Sequence, residues 1–169
     1  MSRHKSRRSS VVKQANKSHA TRLSKGDMLL KHGKYLEAAA EYQKLIDDNR
    51  ADHQVYGRLS EAKYRLGDVQ EAELLLAKAL EIEPNYAEAH HGMAYLLHQR
   101  RQNQHALTHI QTACRLDSNK AEYFSLQGMV LVALHQHSEA LSSYEKGLQI
   151  SPGYASLWNN YGNALNDLG

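Results

Sequence analysis

An all-α solenoid of antiparallel helix pairs is the fold this sequence predicts, and three observations predict it. The chain repeats itself every 34 residues, each repeat carries two apolar stripes at helical spacing, and a turn signal separates the stripes. The period shows first in four alanines, Ala38, Ala72, Ala106 and Ala140. A shift of 34 also aligns Tyr42, Leu76, Ile110 and Tyr144, and then Leu45, Ala79, Ala113 and Gly147. Pro84 and Pro152 stand two periods apart, with Ser118 in the proline's place between them. The repeats therefore run over 19–52, 53–86, 87–120 and 121–154, followed by a half repeat over 155–169.

Each element follows in order from this frame. Counting from the first residue of a repeat, positions 4, 7, 8 and 11 fall within about 100° of one another on a helix, which makes one apolar face. Position 4 is Tyr56, His90, Phe124 and Trp158 in repeats two to five, and position 7 is Leu59, Met93, Gln127 and Tyr161. Position 8 is small, Ser60, Ala94, Gly128 and Gly162, so a second helix backbone can approach closely. The turn follows. Gly33 and Gly67 suit a left-handed helix C-cap, whereas Arg101 and His135 at the same place predict two less regular turns. Asp68 with Glu71 has capping-box spacing for the next helix start. Positions 20, 24 and 27 form the apolar face of that second helix, and Pro84 and Pro152 end it. A helix pair of this size cannot bury its apolar face alone, so the pairs must stack. The first repeat departs from the pattern with Arg22, Lys25 and Gly26, the polar surface expected of a terminal cap.

These residues resemble the tetratricopeptide repeat family, whose 34-residue pattern places an aromatic, Leu-Gly, Tyr, Ala, an aromatic, Ala and Pro at set positions. The clearest stretches are Trp158-Asn159-Asn160-Tyr161-Gly162 and Gly67-Asp68-Val69-Gln70-Glu71-Ala72, and the likeness covers residues 19–169. The resemblance implies a right-handed superhelical solenoid whose first helices line a concave groove for partner segments. Positions 2, 5, 9 and 12 lie roughly 120° from the core stripe and would face that groove. They supply the candidate partner-binding residues Glu61 and Tyr64, then Glu88, His91, Tyr95 and His98, then Glu122 and Met129, and finally Asn159 and Asn163. Tyr64, Tyr95 and Met129 offer apolar contact and Glu61, Glu88 and Glu122 make the wall acidic, which suits a peptide or helix with apolar anchors and positive charge. His91 and His98 would make binding sensitive to pH near neutrality. The clamp with which some family members grip chaperone C-terminal carboxylates needs Lys and Asn where this chain has Leu23, Asp27, Gly57 and Glu61. The run Asn159, Asn160, Asn163 and Asn166 is similar to the inward asparagines of glycosyltransferase-linked arrays.

Composition narrows the remaining classes. With 169 residues, 41% hydrophobic and 23% charged, and no apolar run of membrane-spanning length or secretory signal, the chain reads as a cytoplasmic globular protein. Its net charge of +3 hides an asymmetry, because residues 1–25 carry eight Lys or Arg and no acid. Residues 1–18 are poor in apolar groups and predict a disordered basic arm. Nucleic acid or an anionic membrane would have only that arm to bind, and no aromatic side chain interleaves with its charges for base stacking. Cys114 is the single cysteine and reads as a buried, reduced thiol. His105 and His109 share a helix face at i, i+4, yet no third ligand stands near at ligand spacing, so they read as surface histidines and no metal or cofactor is expected. Signatures such as GxSxG, GxxxxGK[ST], GxGxxG and HExxH are absent, so this segment is expected not to be an enzyme. The last helix shows Trp158, Tyr161 and Leu165 on the stripe that a second helix should cover, which predicts a longer protein or self-association through that face. The function expected is a protein-interaction scaffold or adaptor. The alternative is a substrate-presenting repeat domain ahead of a sulfotransferase or glycosyltransferase part.

Overall fold

A computed structural model of the chain describes residues 20–166, and every regular element among them is an α-helix. The basic arm expected over residues 1–18 lies outside the described residues. Helix α1 spans 20–31, followed by α2 (Tyr35–Asp47), α3 (His53–Arg65), α4 (Val69–Ile82), α5 (Ala87–Gln99), α6 (Asn103–Leu116), α7 (Ala121–Ala133), α8 (His137–Ile150) and α9 (Ala155–Asn166). The fold is all-α, of the tetratricopeptide-like kind in which helices pair in chain order. The chain divides into two compact halves, one ending at Ile82 and the other beginning at Glu83. The first half has a core around Ala38, Tyr42, Leu45, Val55, Leu59 and Ala62. In the second, the core runs from Ala94 through Ile110, Val130 and Tyr144 to Leu157.

The turns within the helix pairs are more uniform than the sequence predicts. Gly33 and Gly67 have φ of 73° and 91°, as expected, but Arg101 and His135 take the same left-handed conformation at 61° and 59°. All four turns close with the same two bonds. Arg101 N–H donates to His98 O and Gln102 N–H to Leu97 O, His135 and Gln136 do the same onto Val132 and Leu131, and the glycine turns match them. This is the Schellman arrangement, so the expectation of irregular turns is corrected. Paired orphan carbonyls and tertiary contacts hold a conformation that a side chain alone disfavours by about 1–2 kcal/mol. Asn49, at φ 54° after α2, ends that helix in the same way, with its N–H on Ile46 O and that of Arg50 on Leu45 O. Asp68 and Glu71, spaced for a capping box, both meet Lys63 Nζ, at 3.6 and 2.7 Å. Lys63 is thereby held charged above the usual lysine range, Glu71 contributing most.

The buried face of the first helices is wider than positions 4, 7, 8 and 11. Position 3 is buried in Val55, Ala89, Tyr123 and Leu157, and position 10 in Ala62, Leu96, Val130 and Ala164. Position 4 is only half-buried in Tyr56 and His90, and Trp158 is 52% exposed. Two of the first helices each meet two second helices: α7 packs on both α6 and α8, and α3 on both α2 and α4. A one-sided stripe becomes a two-sided one.

Position 8 works as predicted. A Cβ on Gly26 or Gly128 would fall inside the ring of Tyr42 or Tyr144, each fully buried at position 24 of the same repeat. The intervening repeats place Ser60 with Leu76 and Ala94 with Ile110, all buried, so a side chain at position 8 accompanies a smaller residue at position 24. Two ion pairs join the helices of the first pair at their surface. Arg22 Nη1 lies 2.6 Å from Asp48 Oδ2, and Lys25 Nζ 2.9 Å from Glu41 Oε1. Cys114 is half-buried rather than buried; its thiol points at Gln127 Oε1 at 3.8 Å, and burial pushes it up to about 12.

Candidate interaction face

A helix gripped on two sides leaves one strip of its surface open, and positions 2, 5, 9 and 12 fall on that strip. Position 2 is exposed in Gln54, Glu88, Glu122 and Ser156. Ser125, at position 5 of α7, is the exception and is buried.

In the first half, Glu61 of α3 is exposed and Tyr64, one turn further on, is half-buried. Glu61 borders a cleft of about 310 Å³ with Asp27, Leu30, Lys31 and Arg58. Asp27 Oδ1 accepts the Tyr42 hydroxyl proton at 2.7 Å and has Arg58 Nε at 3.5 Å. The acidic wall expected from the sequence is therefore a mixed surface here, with Lys31 and Arg58 beside the acids. Both cations escape the reading by position because position 6 in α3 and position 13 in α1 lie at the edge of the strip.

In the second half, the strip is more acidic and more aromatic. Glu88 and Glu122 are exposed, while His91 is half-buried with its ring stacked on Tyr123 at 4.8 Å between centroids and 26° between planes. Burial holds His91 below the usual histidine range, although Glu122 and Glu88 both favour its charged form. Tyr123 is the residue sequence reasoning missed; it stands at position 3, outside the expected stripe, and is buried under His91. Burial raises its hydroxyl well above the usual tyrosine range. Tyr95 is half-buried against the core and Met129 is 37% exposed. His98 Nδ1 is 2.9 Å from Asn103 Oδ1, an oxygen that only accepts, so the ring donates from Nδ1. His98, Asn103, Gln99, Arg101 and Ala133 border a cleft of about 350 Å³. On α9, Asn159, Asn163 and Asn166 are exposed.

The candidate residues are thus divided: Glu61 and Tyr64 belong to the first half, and Glu88, His91, Tyr95, His98, Glu122, Met129, Asn159 and Asn163 to the second. Within the second, the structure draws Glu88, His91 and Glu122 into one electrostatic group. No helix among the described residues is long and apolar enough to cross a membrane.

Comparison with known proteins agrees with the fold. Two models of the tetratricopeptide repeat match the chain, one over residues 23–87 and one over 66–130. Among solved structures, a crystal structure of MamA superposes with a TM-score of 0.72 at 23% identity, covering 85% of this chain and 84% of that one. MamA of MSR-1 gives 0.71 at 19% identity over 89% and 86%, and MamA of AMB-1 gives 0.71 at 19% over 89% and 88%. At such identities the likeness is one of fold. No curated protein matches the sequence.

Proposed function

We propose that this chain, which belongs to the tetratricopeptide repeat family, is a protein-interaction scaffold that holds a segment of another protein on the open strip of its first helices. One observation carries the reading: in α3, α5 and α7 positions 3, 8 and 10 are buried, whereas positions 2, 9 and 12 leave carboxylates and aromatic or thioether groups exposed or half-buried. A strip bearing Glu88, Glu122, Tyr95 and Met129 suits a peptide or helix with apolar anchors and flanking Lys or Arg. Nothing in this reading requires catalysis.

Charge reversal tests it without touching the core. Glu88→Lys with Glu122→Lys should weaken capture of partner segments at least tenfold while helix content and melting temperature stay unchanged, because both side chains are exposed. Tyr64→Ala with Tyr95→Ala should reduce capture further, with some loss of stability from half-buried Tyr95. Partners retained undiminished by both double variants would count against the strip.

A second reading rests on the asparagine row of α9. Exposed Asn159, Asn163 and Asn166 can each pair with a peptide backbone, as a substrate-presenting arm of a transferase would need. Peptide binding that vanishes on replacing all three with Ala, yet ignores Glu88 and Glu122, would favour it. Self-association through Trp158 and Leu165, which are 52% and 44% exposed, is checked by light scattering of Trp158→Ser.

A further inference from the structure

The clefts of the two halves treat a cation differently. In the first half, Arg58 meets Asp27 at 3.5 Å and Glu61 lines the same cleft, so its charge is answered within the fold. In the second half, His98, Gln99, Arg101, Asn103 and Ala133 line a cleft of about 350 Å³ without a carboxylate among them. None stands near in sequence either, since Glu88 and Asp117 are the first acids met on either side of Arg101. The Arg101 side chain is exposed and enters no ion pair among the described residues.

Arg101 keeps its place at a cost. Gly33 and Gly67 take the left-handed conformation of this turn freely, whereas Arg101 takes it at φ 61° against the preference of an L residue. Strain of this kind is retained where the side chain serves a site. Its neighbour Asn103 is fixed in orientation: the amide Oδ1 accepts the His98 Nδ1 proton at 2.9 Å, so its two N–H groups are what it can offer to the cleft. A planar guanidinium beside an amide donor matches the two oxygens of a carboxylate. We propose that this cleft is a carboxylate site that takes an acidic stretch of the partner segment.

The identity of the occupant as part of a partner protein rests on the scaffold reading above; the donor set stands without it. Glu88 at the start of α5 and His98 near its end are ten residues, about 15 Å, apart along the helix. The strip of the second half therefore has acids at one end and the cleft at the other. A held segment acquires a direction, with its basic residues toward Glu88 and Glu122 and its acidic ones toward Arg101.

The test uses the full chain and a fluorescein-labelled peptide of five glutamates, followed by anisotropy at low salt, because exposed charges are screened within about 10 Å at 0.1 M. The peptide should bind, and Arg101→Gly should weaken it at least fivefold. That variant puts into the turn the residue that Gly33 and Gly67 supply elsewhere, so the fold is kept while the guanidinium is lost. Arg101→Glu should abolish binding. Arg115→Gln removes the same charge from the exposed surface at the other end of α6 and should change affinity less than twofold. Absence of binding to the wild-type chain, binding that ignores Arg101→Gly because the basic residues of the first 25 hold the peptide, or an equal loss with Arg115→Gln would each overturn the site. A peptide of five lysines reports on Glu88 and Glu122 separately: if Glu88→Lys with Glu122→Lys leaves its binding unchanged, the strip fails while the cleft stands, and pentaglutamate that ignores Arg101 sinks the cleft while the strip stands.

Discussion

The helix pair α1/α2 in the first half and the pair α7/α8 in the second seat the same tyrosine over the same glycine and surround it with opposite chemistry. Tyr42 over Gly26 has its hydroxyl on Asp27, and the helices around it are tied by Arg22 to Asp48 and by Lys25 and Lys44 to Glu41. Tyr144 over Gly128 sits in one cluster with Leu126, Val130, Leu131 and Leu148, all buried. Close approach at position 8 is therefore a requirement of the repeat, while the polarity around it is free to vary.

The largest expected effect breaks the shared element. Gly128→Ala should cost about 2–3 kcal/mol in denaturant unfolding, because the new methyl must displace a buried ring in a close-packed core. Gly26→Ala should cost less, since α1 is joined to α2 by exposed charges that can shift. The repeats that carry Ser60 with Leu76 and Ala94 with Ile110 suggest the remedy: Tyr144→Leu should recover part of the loss in the Gly128→Ala background. Recovery by Tyr144→Phe instead would show that ring size is not the conflict.

The next effect separates the two tyrosines. Tyr42→Phe removes a hydrogen bond to a carboxylate and should cost about 1 kcal/mol, whereas Tyr144→Phe should cost little or nothing. Equal losses would mean that Asp27 contributes nothing to the first pair.

A smaller effect follows pH. Hydrogen bonds from Lys25 and then Lys44 hold Glu41 below the usual carboxylate range despite its burial. A carboxyl lowered on folding contributes stability that is fully present above its unfolded value near 4.5 and is lost as pH falls through the lower folded one. The first pair should therefore weaken in acid below that value, and Glu41→Gln should flatten the acid limb of the stability profile. Because both lysines are exposed, the change should stay within about 1 kcal/mol. The smallest expected effect is a gain: Arg101→Gly and His135→Gly should each stabilise by about 0.5 kcal/mol, relief of left-handed strain exceeding the entropy of the freed chain.

The period, the element order, the glycine turns and the close approach at position 8 were legible because each depends on local sequence repeated in phase. The contact of α3, α7 and α9 with the helix before them was not, since Val55, Tyr123 and Leu157 are buried on that side, which lies outside the span over which a single stripe is read. Arg101 and His135 were misread because the bonds onto Leu97 and Leu131 carbonyls, not the residue in the turn, decide the conformation. Of the interaction strip, the exposed positions could be placed from the helical angle, but the partnership of His91 with Tyr123 and the presence of Arg58 beside Asp27 needed three dimensions. A hydrogen-bonded histidine pair was hidden for the same reason: His90 and His109 lie 19 residues apart and meet only when α5 and α6 fold back on each other.

Trp158 is the only tryptophan in the chain, and its indole Nε1 donates to the Pro152 carbonyl at 2.8 Å while its ring meets Tyr161 edge-on. Both partners belong to α9 and the turn before it. The molecule therefore carries its own optical gauge at α9: a red shift of emission marks release of α9 from the Pro152 turn, and far-ultraviolet dichroism follows all the helices together. Where the two signals part during heating, α9 frays separately from the other described helices; where they coincide, α9 and the rest let go as one.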